Sequence, residues 1–416
     1  MSIFDILAAF IFLAALFIYT NTYFLKLPSS IGLMIMALVM SFSIFLLGTI
    51  SPSFKIEAVE LEKYDYADVL YQVVLSFMLF SGALQIDFRK LSKERTPVLV
   101  LATTGVLIST LAIGTLLYYM LHFMDIKLDY LYCLVFGALI SPTDPIAVTK
   151  FIKRFNLSQD LETRISGESL FNDGVAVVLA LTLLDVANAQ KDHVLSAFEV
   201  VYIFGADIGG GIFIGLFLGY IGYRLLKYVD NDQVEVEVLI TLAVVMVGSL
   251  MADFIHVSSK QAAVVMGLVI GNEGMGHNVN NATGDYVYKF WNLLEESLAA
   301  MLFVLIGLEM LVLPLRWDYF AAGLFAVNIV LFGRWLSVFI PIKLMSINRS
   351  FEKNSIAILT WGALRGGLPI ALSMSLTDFE GRDVILTMTY TVVVCSVLYQ
   401  GLTVPILMRG YASNSR

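Results

Sequence analysis

The sequence predicts an all-α polytopic membrane protein with about 13 transmembrane helices in two inverted six-helix repeats. Composition is the first observation behind this prediction, because the 416 residues are 58% hydrophobic and only 14% charged. The mean hydropathy of +0.82 lies far above that of an ordinary soluble domain. Long apolar stretches recur along the whole chain, and two of them contain helix breakers at mid-membrane. Residues 1–416 should therefore form a single integral membrane domain.

Successive stretches of the chain have the length and composition of membrane-crossing helices. Such a helix needs about 20 mostly apolar residues. The predicted spans cover roughly residues 4–24, 31–50, 69–87, 97–121, 130–150, 165–187, 200–226, 235–255, 260–273, 288–313, 319–343, 354–376 and 384–408. The ninth span is short, so a count of about twelve is the alternative.

Lysines and arginines in the links between spans predict the orientation, because cytoplasmic links are rich in them. The rich links hold Arg89, Lys90, Lys93 and Arg95, then Lys150, Lys153, Arg154 and Arg164, then Lys343, Arg349 and Lys353. Alternate links are poor in positive charge and hold Lys127, Lys191, Arg316 and Arg382. With an odd number of spans, the N-terminus lies outside and the C-terminus lies in the cytoplasm.

The fifth and twelfth spans carry helix breakers at their centres. The breakers are Pro142 and Pro145 in the fifth span, and Gly366, Gly367 and Pro369 in the twelfth. Both spans should unwind there and leave backbone groups unpaired, which a membrane protein tolerates only beside a cavity or inside the protein. Two unrelated kinks in ordinary helices are the alternative interpretation.

The two breaks lie seven spans apart, and this odd offset means that their parent units run in opposite directions through the bilayer. We therefore expect a first inverted repeat over residues 1–187, a linking helix over 200–226 and a second repeat over 235–408. Paired interrupted helices at matching positions indicate a substrate site near the midplane of a secondary transporter.

Four polar side chains occur together in the apolar sixth span, in the sequence GESLFNDGV. Ser169 and Asp173 are four residues apart, as are Glu168 and Asn172, so the four form one helix face. A carboxylate that faces lipid costs about 3 kcal/mol, so this face should point into the helix bundle. A static polar network that joins helices is the alternative.

Each carboxylate on this face needs a partner. Arg365, within the twelfth span, is the natural partner of Glu168. That pairing leaves Asp173 without a fixed cation, so Asp173 should hold a proton until a metal ion displaces it. Asp144 lies at the unwound point of the fifth span, where the positive end of a facing half-helix would stabilise its charge.

The remaining features of the predicted spans have less defined roles. Arg334 lies within the eleventh span, and the sequence assigns it no partner. Asp207 lies early in the seventh span and belongs either to a helix interface or to the functional site. Gly211, Gly215 and Gly219 follow at four-residue spacing and form a smooth face suited to close helix packing.

Three motifs, SPTDPIAV, GESLFNDGVAVV and WGALRGGLPIAL, stand in this order over nearly the whole chain. Together they resemble the monovalent cation:proton antiporters, in the sodium/proton exchanger branch with NhaP-like members. The resemblance implies an NhaA-like antiporter fold, with crossed, unwound helices in a mobile core domain and a homodimer formed by a separate interface domain. It also implies a location in the lipid bilayer of a prokaryotic inner (plasma) membrane and a role in pH homeostasis.

The resemblance also implies roles for individual residues of the site. Asp173, with Asn172 beside it, would exchange protons for cations, and Ser169 and Thr143 would be further cation ligands. Glu168 and Arg365 would form a structural ion pair.

At the two helix breaks, which are formed by Pro142, Pro145, Gly366 and Gly367, Asp144 would compensate the dipoles of the helix ends. In some relatives a glutamate stands where this chain has Ser81, which suggests one acid fewer in the site. The ligand set and the preferred cation therefore stay open at this point.

The predicted function is antiport of Na⁺ or Li⁺ against H⁺ by alternating access, with electroneutral exchange because one acid trades one proton for one cation. The protein would be a transporter and not an enzyme, with no cofactor and no nucleic-acid partner. A K⁺/H⁺ antiporter is the close alternative. A membrane-embedded hydrolase is less favoured, because the chain has no Gly-x-Ser-x-Gly elbow and no Ser/His pair within a span. A channel or a non-transporting sensor is the third class.

Overall fold

The computed structural model describes residues 3–50, 66–155, 157–189, 197–228, 233–274, 281–311, 313, 316–347, 349–352, 354–374, 376, 379 and 381–414. Within these residues the regular structure is helical, apart from one isolated backbone bridge. Lys191 and Lys353, used in the orientation argument, lie outside the described residues. The helices are α1 Ile3–Thr20, α2 Ser29–Ile50, α3 Tyr66–Leu84, α4 Phe88–Lys93, α5 Arg95–Val100, α6 Val106–Phe123, α7 Tyr130–Leu139, α8 Ile146–Arg154, α9 Gln159–Ala189, α10 Ala197–Tyr228, α11 Val234–Phe254, α12 Ser259–Val269, α13 Asn281–Glu309, α14 Trp317–Met345, α15 Ser355–Trp361, α16 Leu368–Met374, α17 Arg382–Cys395 and α18 Gly401–Asn414.

Many of these helices have the dimensions of membrane spans. Among the described residues, nine helices are long and apolar enough to cross a bilayer by length and composition. Two shorter apolar helices, Val73–Leu84 and Tyr130–Leu139, lie within α3 and α7. The prediction of an all-α polytopic membrane protein is thereby confirmed. The full count of about 13 crossings and the inverted repeats stay predictions.

Two predicted spans are each divided into a pair of short helices. The fifth span consists of α7 and α8, separated by residues 140–145, and the twelfth consists of α15 and α16, separated by residues 362–367. Pro145 removes the amide that would continue the α7 ladder, and Gly366 and Gly367 loosen the second break. Both interruptions therefore occur where the prolines and glycines predict them.

Helix α9 lies inside the bundle, whereas α10 lies at its surface. In the apolar window of α9, 61% of the residues are buried, compared with 22% in that of α10. Helix α9 packs against α7, and α10 presents exposed Phe213 and Phe217 outward. The helix that carries the polar face is thus kept away from lipid, as its carboxylates require.

The glycine-rich face of α10 packs closely on α12. A Cβ atom at Gly211 would lie 2.5 Å from the Ser258 carbonyl oxygen. One at Gly215 would lie 2.6 Å from the Val265 Cβ and 2.8 Å from the Ala262 carbonyl oxygen. No side chain fits at such distances, so the small residues allow the two backbones to approach. The predicted packing role of this face is confirmed.

Candidate functional site

The two helix breaks meet at the centre of the site. The backbone N–H of Asp144 donates to the Leu364 carbonyl oxygen at 2.7 Å, which forms the isolated bridge between the interrupted spans. A Cβ atom at Gly366 would lie only 3.1 Å from the Cβ of Asp144. The break at residues 362–367 therefore lies directly against the one at 140–145, and a small residue permits the contact.

Arg365 supplies hydrogen bonds that the first break has lost. Its Nη1 donates to the Ser141 carbonyl oxygen at 2.6 Å and to the Pro142 carbonyl oxygen at 2.9 Å. In an uninterrupted helix the amide of residue 145 would bond the Ser141 carbonyl, but Pro145 has no N–H. The guanidinium group takes the place of that missing donor and stabilises the unwound backbone.

The prediction that Glu168 pairs directly with Arg365 is wrong, because Glu168 instead forms a bidentate ion pair with Arg334. Arg334 Nη1 donates to Glu168 Oε1, and Nη2 donates to Oε2 at 3.1 Å. Arg334 also donates to the Leu359 carbonyl oxygen from Nε at 3.2 Å and from Nη2 at 3.0 Å. Both side chains of the pair are buried, so each charge is balanced by the other.

Glu168 pairs with Arg334 and not with Arg365 because the two arginines have different hydrogen-bond acceptors within reach. Arg365 lies at a break, where free carbonyls of the opposite span occupy its guanidinium group. Arg334 lies in the continuous helix α14, and its fork faces α9 with the geometry that a carboxylate accepts in a bidentate manner.

The polar face of α9 meets the first break at Thr143. The Ser169 hydroxyl donates to the Thr143 carbonyl oxygen, and Asn172 Nδ2 donates to Thr143 Oγ1 at 3.0 Å. The backbone of Thr143 also hydrogen-bonds the carboxyl group of Asp173. The structure thus brings together Thr143, Ser169, Asn172 and Asp173, the residues that the family resemblance implied, and their role in ion binding stays a prediction.

One carboxylate oxygen of Asp173 takes no part in these hydrogen bonds. Within the described part of the chain, Asp173 Oδ1 is buried and has no hydrogen-bond partner, and the same holds for Asn172 Oδ1. A buried acceptor without a donor is costly. Carboxylate, hydroxyl and carbonyl oxygens are the ligands that hard cations prefer, so this set of atoms fits either a proton on Asp173 or a bound alkali cation.

The site opens into a cavity of about 300 Å³. At roughly 30 Å³ for each water molecule, this volume has room for about ten waters. Thr143, Ser169 and Asp173 line its inner part, and Lys153 and Glu162 line it at the adjoining ends of α8 and α9. The cavity therefore connects the break with charged side chains and is large enough to admit water.

Asp144 also lines this cavity, and its carboxylate contacts the beginning of α2. Ser30, the second residue of that helix, donates from Oγ to Asp144 Oδ2 at 2.8 Å. The N-terminus of a helix attracts negative charge. The helix N-terminus that contacts Asp144 through a side chain is thus that of the uninterrupted 22-residue helix α2, whereas the prediction was a facing half-helix.

Glu295 is a cavity residue that the sequence reasoning missed. Helix α13 places it in the cavity wall, where the Ser81 hydroxyl donates to Glu295 Oε2 at 2.7 Å. The signal in the sequence was the acidic pair Glu295 and Glu296 within a predicted span. The cavity thus holds an acid beside Ser81, although Ser81 itself is not acidic.

Asp207 lies apart from this cavity. Its carbonyl oxygen accepts a hydrogen bond from the Ser258 amide at 3.2 Å, where α10 meets the beginning of α12. Asp207 is not among the residues that line the cavity. Of the two roles open to it, the structure places it at a helix interface.

Comparisons with known proteins agree with this architecture. The family model for the transmembrane sodium/hydrogen exchangers matches residues 11–410. The chain is 42% identical to the Na⁺/H⁺ antiporter NhaP of Pseudomonas aeruginosa over 98% of this chain and 97% of that protein. It is 33% identical to the Na⁺/H⁺ antiporter NhaH of Halobacillus aidingensis over 91% of each.

A solved structure shares the fold. The sodium proton antiporter MjNhaP1 of Methanocaldococcus jannaschii superposes with a TM-score of 0.78 at 21% identity, over 98% of this chain and 97% of that one. Since the family model and the relatives match over nearly their full extent, the chain belongs to the transmembrane sodium/hydrogen exchanger family.

Proposed function

We propose that this protein exchanges Na⁺ for H⁺ across the membrane by alternating access, with Asp173 binding either ion. The observation that carries the proposal is the buried Oδ1 of Asp173, which has no hydrogen-bond partner among the described residues, in a side chain that lines the same cavity as Thr143 and Ser169. Membership of the sodium/hydrogen exchanger family supports the same reaction.

Competition for one carboxylate couples the two fluxes. Na⁺ can bind Asp173 only after the proton has left, and a returning proton displaces Na⁺. An empty carboxylate cannot pass through an apolar gate, because transfer of a bare charge out of water is too costly. One acid then trades one proton for one monovalent cation, so exchange is electroneutral. The names of the relatives, which are Na⁺/H⁺ antiporters, support Na⁺ over K⁺ as the cation.

The proposed architecture comprises 13 crossings, with inverted repeats over residues 1–187 and 235–408 and a linking helix over 200–226. The cavity rim at Lys153 and Glu162 belongs to a link rich in positive charge, which supports an inward-facing cavity and a cytoplasmic C-terminus. A homodimer in the plasma membrane of a prokaryote completes the proposal, and bacterial relatives support that location.

The test is proton flux in proteoliposomes, driven by Na⁺, Li⁺ or K⁺ in turn over a range of pH. Asp173→Asn should reduce Na⁺-driven proton flux to the background of empty vesicles, because an amide binds neither ion. Asp185→Asn is the matched control: it lies on the same helix but is exposed and does not line the cavity. Its flux should equal that of the wild type.

Three results would overturn the proposal or parts of it. Flux by Asp173→Asn at the wild-type rate would refute the role of Asp173. Flux driven by K⁺ but not by Na⁺ would make the protein a potassium exchanger. Proton flux without a counter-cation would indicate a channel.

A further inference from the structure

The wall of the cavity carries Glu295, an acid that the exchange mechanism above does not use. Glu295 lies in α13 and shares the cavity with Asp173 and Asp144. Its side chain is only half-buried, because the cavity lies beside it. It comes from a different part of the chain than any of the three recognised motifs.

Glu295 is held in position by neutral donors. Ser81 Oγ donates to Glu295 Oε2 at 2.7 Å, and Gln85 Nε2 donates to the same oxygen at 3.3 Å. The Ser81 hydroxyl also lies 3.1 Å from the Trp291 carbonyl oxygen, one turn earlier on α13. The two residues of α3 thus orient one carboxylate oxygen and add no charge.

The adjacent acid has a different environment. Glu296 is exposed and lies 3.7 Å from Lys150 Nζ, with which it forms an ion pair. Glu295 forms no ion pair with a lysine or arginine among the described residues. Asp144 lines the same cavity, Glu296 is the next residue along the chain, and Lys150 is paired with Glu296. Glu295 therefore sits in a predominantly negative part of the cavity.

A carboxylate in such a place is stabilised by a mobile cation. Acids within membrane helices are expensive and normally have a partner, and here the partner can come from the solution through the cavity. Gln85 also lines a smaller cavity, together with Glu162 and Ser166. Both cavities share Gln85, Glu162 and Ser166, so Glu295 lies beside the route from the charged rim.

We propose that Glu295 is a second cation-binding carboxylate, which holds Na⁺ in the cavity on its way to and from Asp173. The inference rests on the proposed exchange function. Glu295 concentrates the cation near Asp173, and Asp173 alone makes the exchange obligatory. The number of protons exchanged for each cation is therefore unchanged by Glu295, whereas the Na⁺ concentration needed for transport is lowered.

The test compares two neighbouring substitutions in the full-length protein reconstituted in proteoliposomes. Glu295→Gln should raise the Na⁺ concentration for half-maximal exchange about tenfold, with the maximal rate within about twofold of the wild type. Glu296→Gln is the matched control, because it removes the same charge one residue away on the outer side of α13. It should change neither quantity by more than about twofold.

A binding measurement covers the case in which a variant transports poorly. Na⁺ should raise the melting temperature of Asp173→Asn, relative to N-methylglucamine chloride at equal ionic strength, because Glu295 still binds the cation. The shift should vanish in Asp173→Asn/Glu295→Gln and persist in Asp173→Asn/Glu295→Asp. This readout does not depend on exchange activity.

Each contrary outcome is informative. An unchanged half-maximal Na⁺ concentration in Glu295→Gln, or an equal change in Glu296→Gln, would overturn the proposal. Complete loss of exchange by Glu295→Gln at saturating Na⁺ would also overturn it, since Glu295 would then be obligatory. If the wild type shows no Na⁺-dependent proton flux, the exchange function itself fails, whereas a Na⁺-dependent melting shift that requires Glu295 would remain.

Discussion

At the residue scale, the two buried arginines of the site perform different tasks with the same functional group. Arg334 neutralises Glu168 through a bidentate pair, whereas Arg365 donates to the carbonyls of Ser141 and Pro142. The fork of an arginine suits both tasks, because it is planar, permanently charged and rich in donors. In the part of the chain that the structure describes, no carboxylate forms an ion pair with Arg365.

Arg334→Ala should destabilise the protein strongly. It leaves Glu168 as a buried carboxylate without its cation, at a cost of about 3–5 kcal/mol. Glu168→Ala strands Arg334 in the same way and should be similarly harmful. Arg316→Ala is the control, because Arg316 pairs with Asp318 at an exposed site where ion pairs contribute little. Thermal unfolding in detergent measures all three.

Arg334→Lys separates charge from geometry. A lysine keeps the charge but cannot bond both Glu168 oxygens and the Leu359 carbonyl as the guanidinium does. Its melting temperature should lie between those of Arg334→Ala and the wild type. A melting temperature of Arg334→Ala equal to that of the wild type would contradict the pairing.

These contacts also mark the limit of what the sequence could predict. The polar face of α9 follows from four-residue spacing, and the breaks follow from prolines and glycines, so both are local signals. The pairing of Glu168 with Arg334 joins residues 166 positions apart, and that of Ser81 with Glu295 joins residues 214 apart. Spacing within a helix carries no information on which of two distant arginines packs against it.

At the element scale, the contact between α10 and α12 depends on residues without side chains. Gly215→Ala should weaken this contact by about 1–3 kcal/mol, because the new Cβ atom would overlap the Val265 Cβ and the Ala262 carbonyl oxygen. The backbone atom cannot move aside without moving α12. The measurement is the melting temperature of the purified protein.

Gly209→Ala is the matched control for this prediction. Gly209 lies on the same helix, and no atom of the described residues lies within 4 Å of the position of a new Cβ atom. Alanine is a better helix former than glycine by up to about 1 kcal/mol, so this variant should be as stable as the wild type or slightly more stable. Equal destabilisation by both substitutions would show that the close packing of α10 on α12 is not the cause.

At the scale of the whole molecule, the cavity should open to the cytoplasm. Ser166 lines both cavities near the rim, in a part of the chain flanked by Lys153 and Arg164. In a background without Cys133 and Cys395, Ser166→Cys should react with a membrane-impermeant maleimide in inside-out vesicles only. Lys127→Cys, in an exposed link predicted to lie outside, should react in right-side-out vesicles only.

The reverse labelling pattern would invert the orientation, and labelling of Ser166→Cys from both sides would exclude a cavity closed at one end. The orientation stays a prediction from the charges of the links, because the positive-inside rule uses only their composition. The course of the cavity was not predictable, since it depends on which side chains of α3, α9 and α13 converge.

The hydrogen bond between the Asp144 amide and the Leu364 carbonyl has a consequence for how the carrier moves. It joins the two interrupted spans at their breaks, where neither span has continuous helical hydrogen bonds. Any displacement that turns Thr143 towards the opposite face of the bilayer must take Leu364 along or break this link. The two interrupted spans should therefore move together as one rigid body. Relative movement should occur between this pair and the surrounding helices, and not between the two spans.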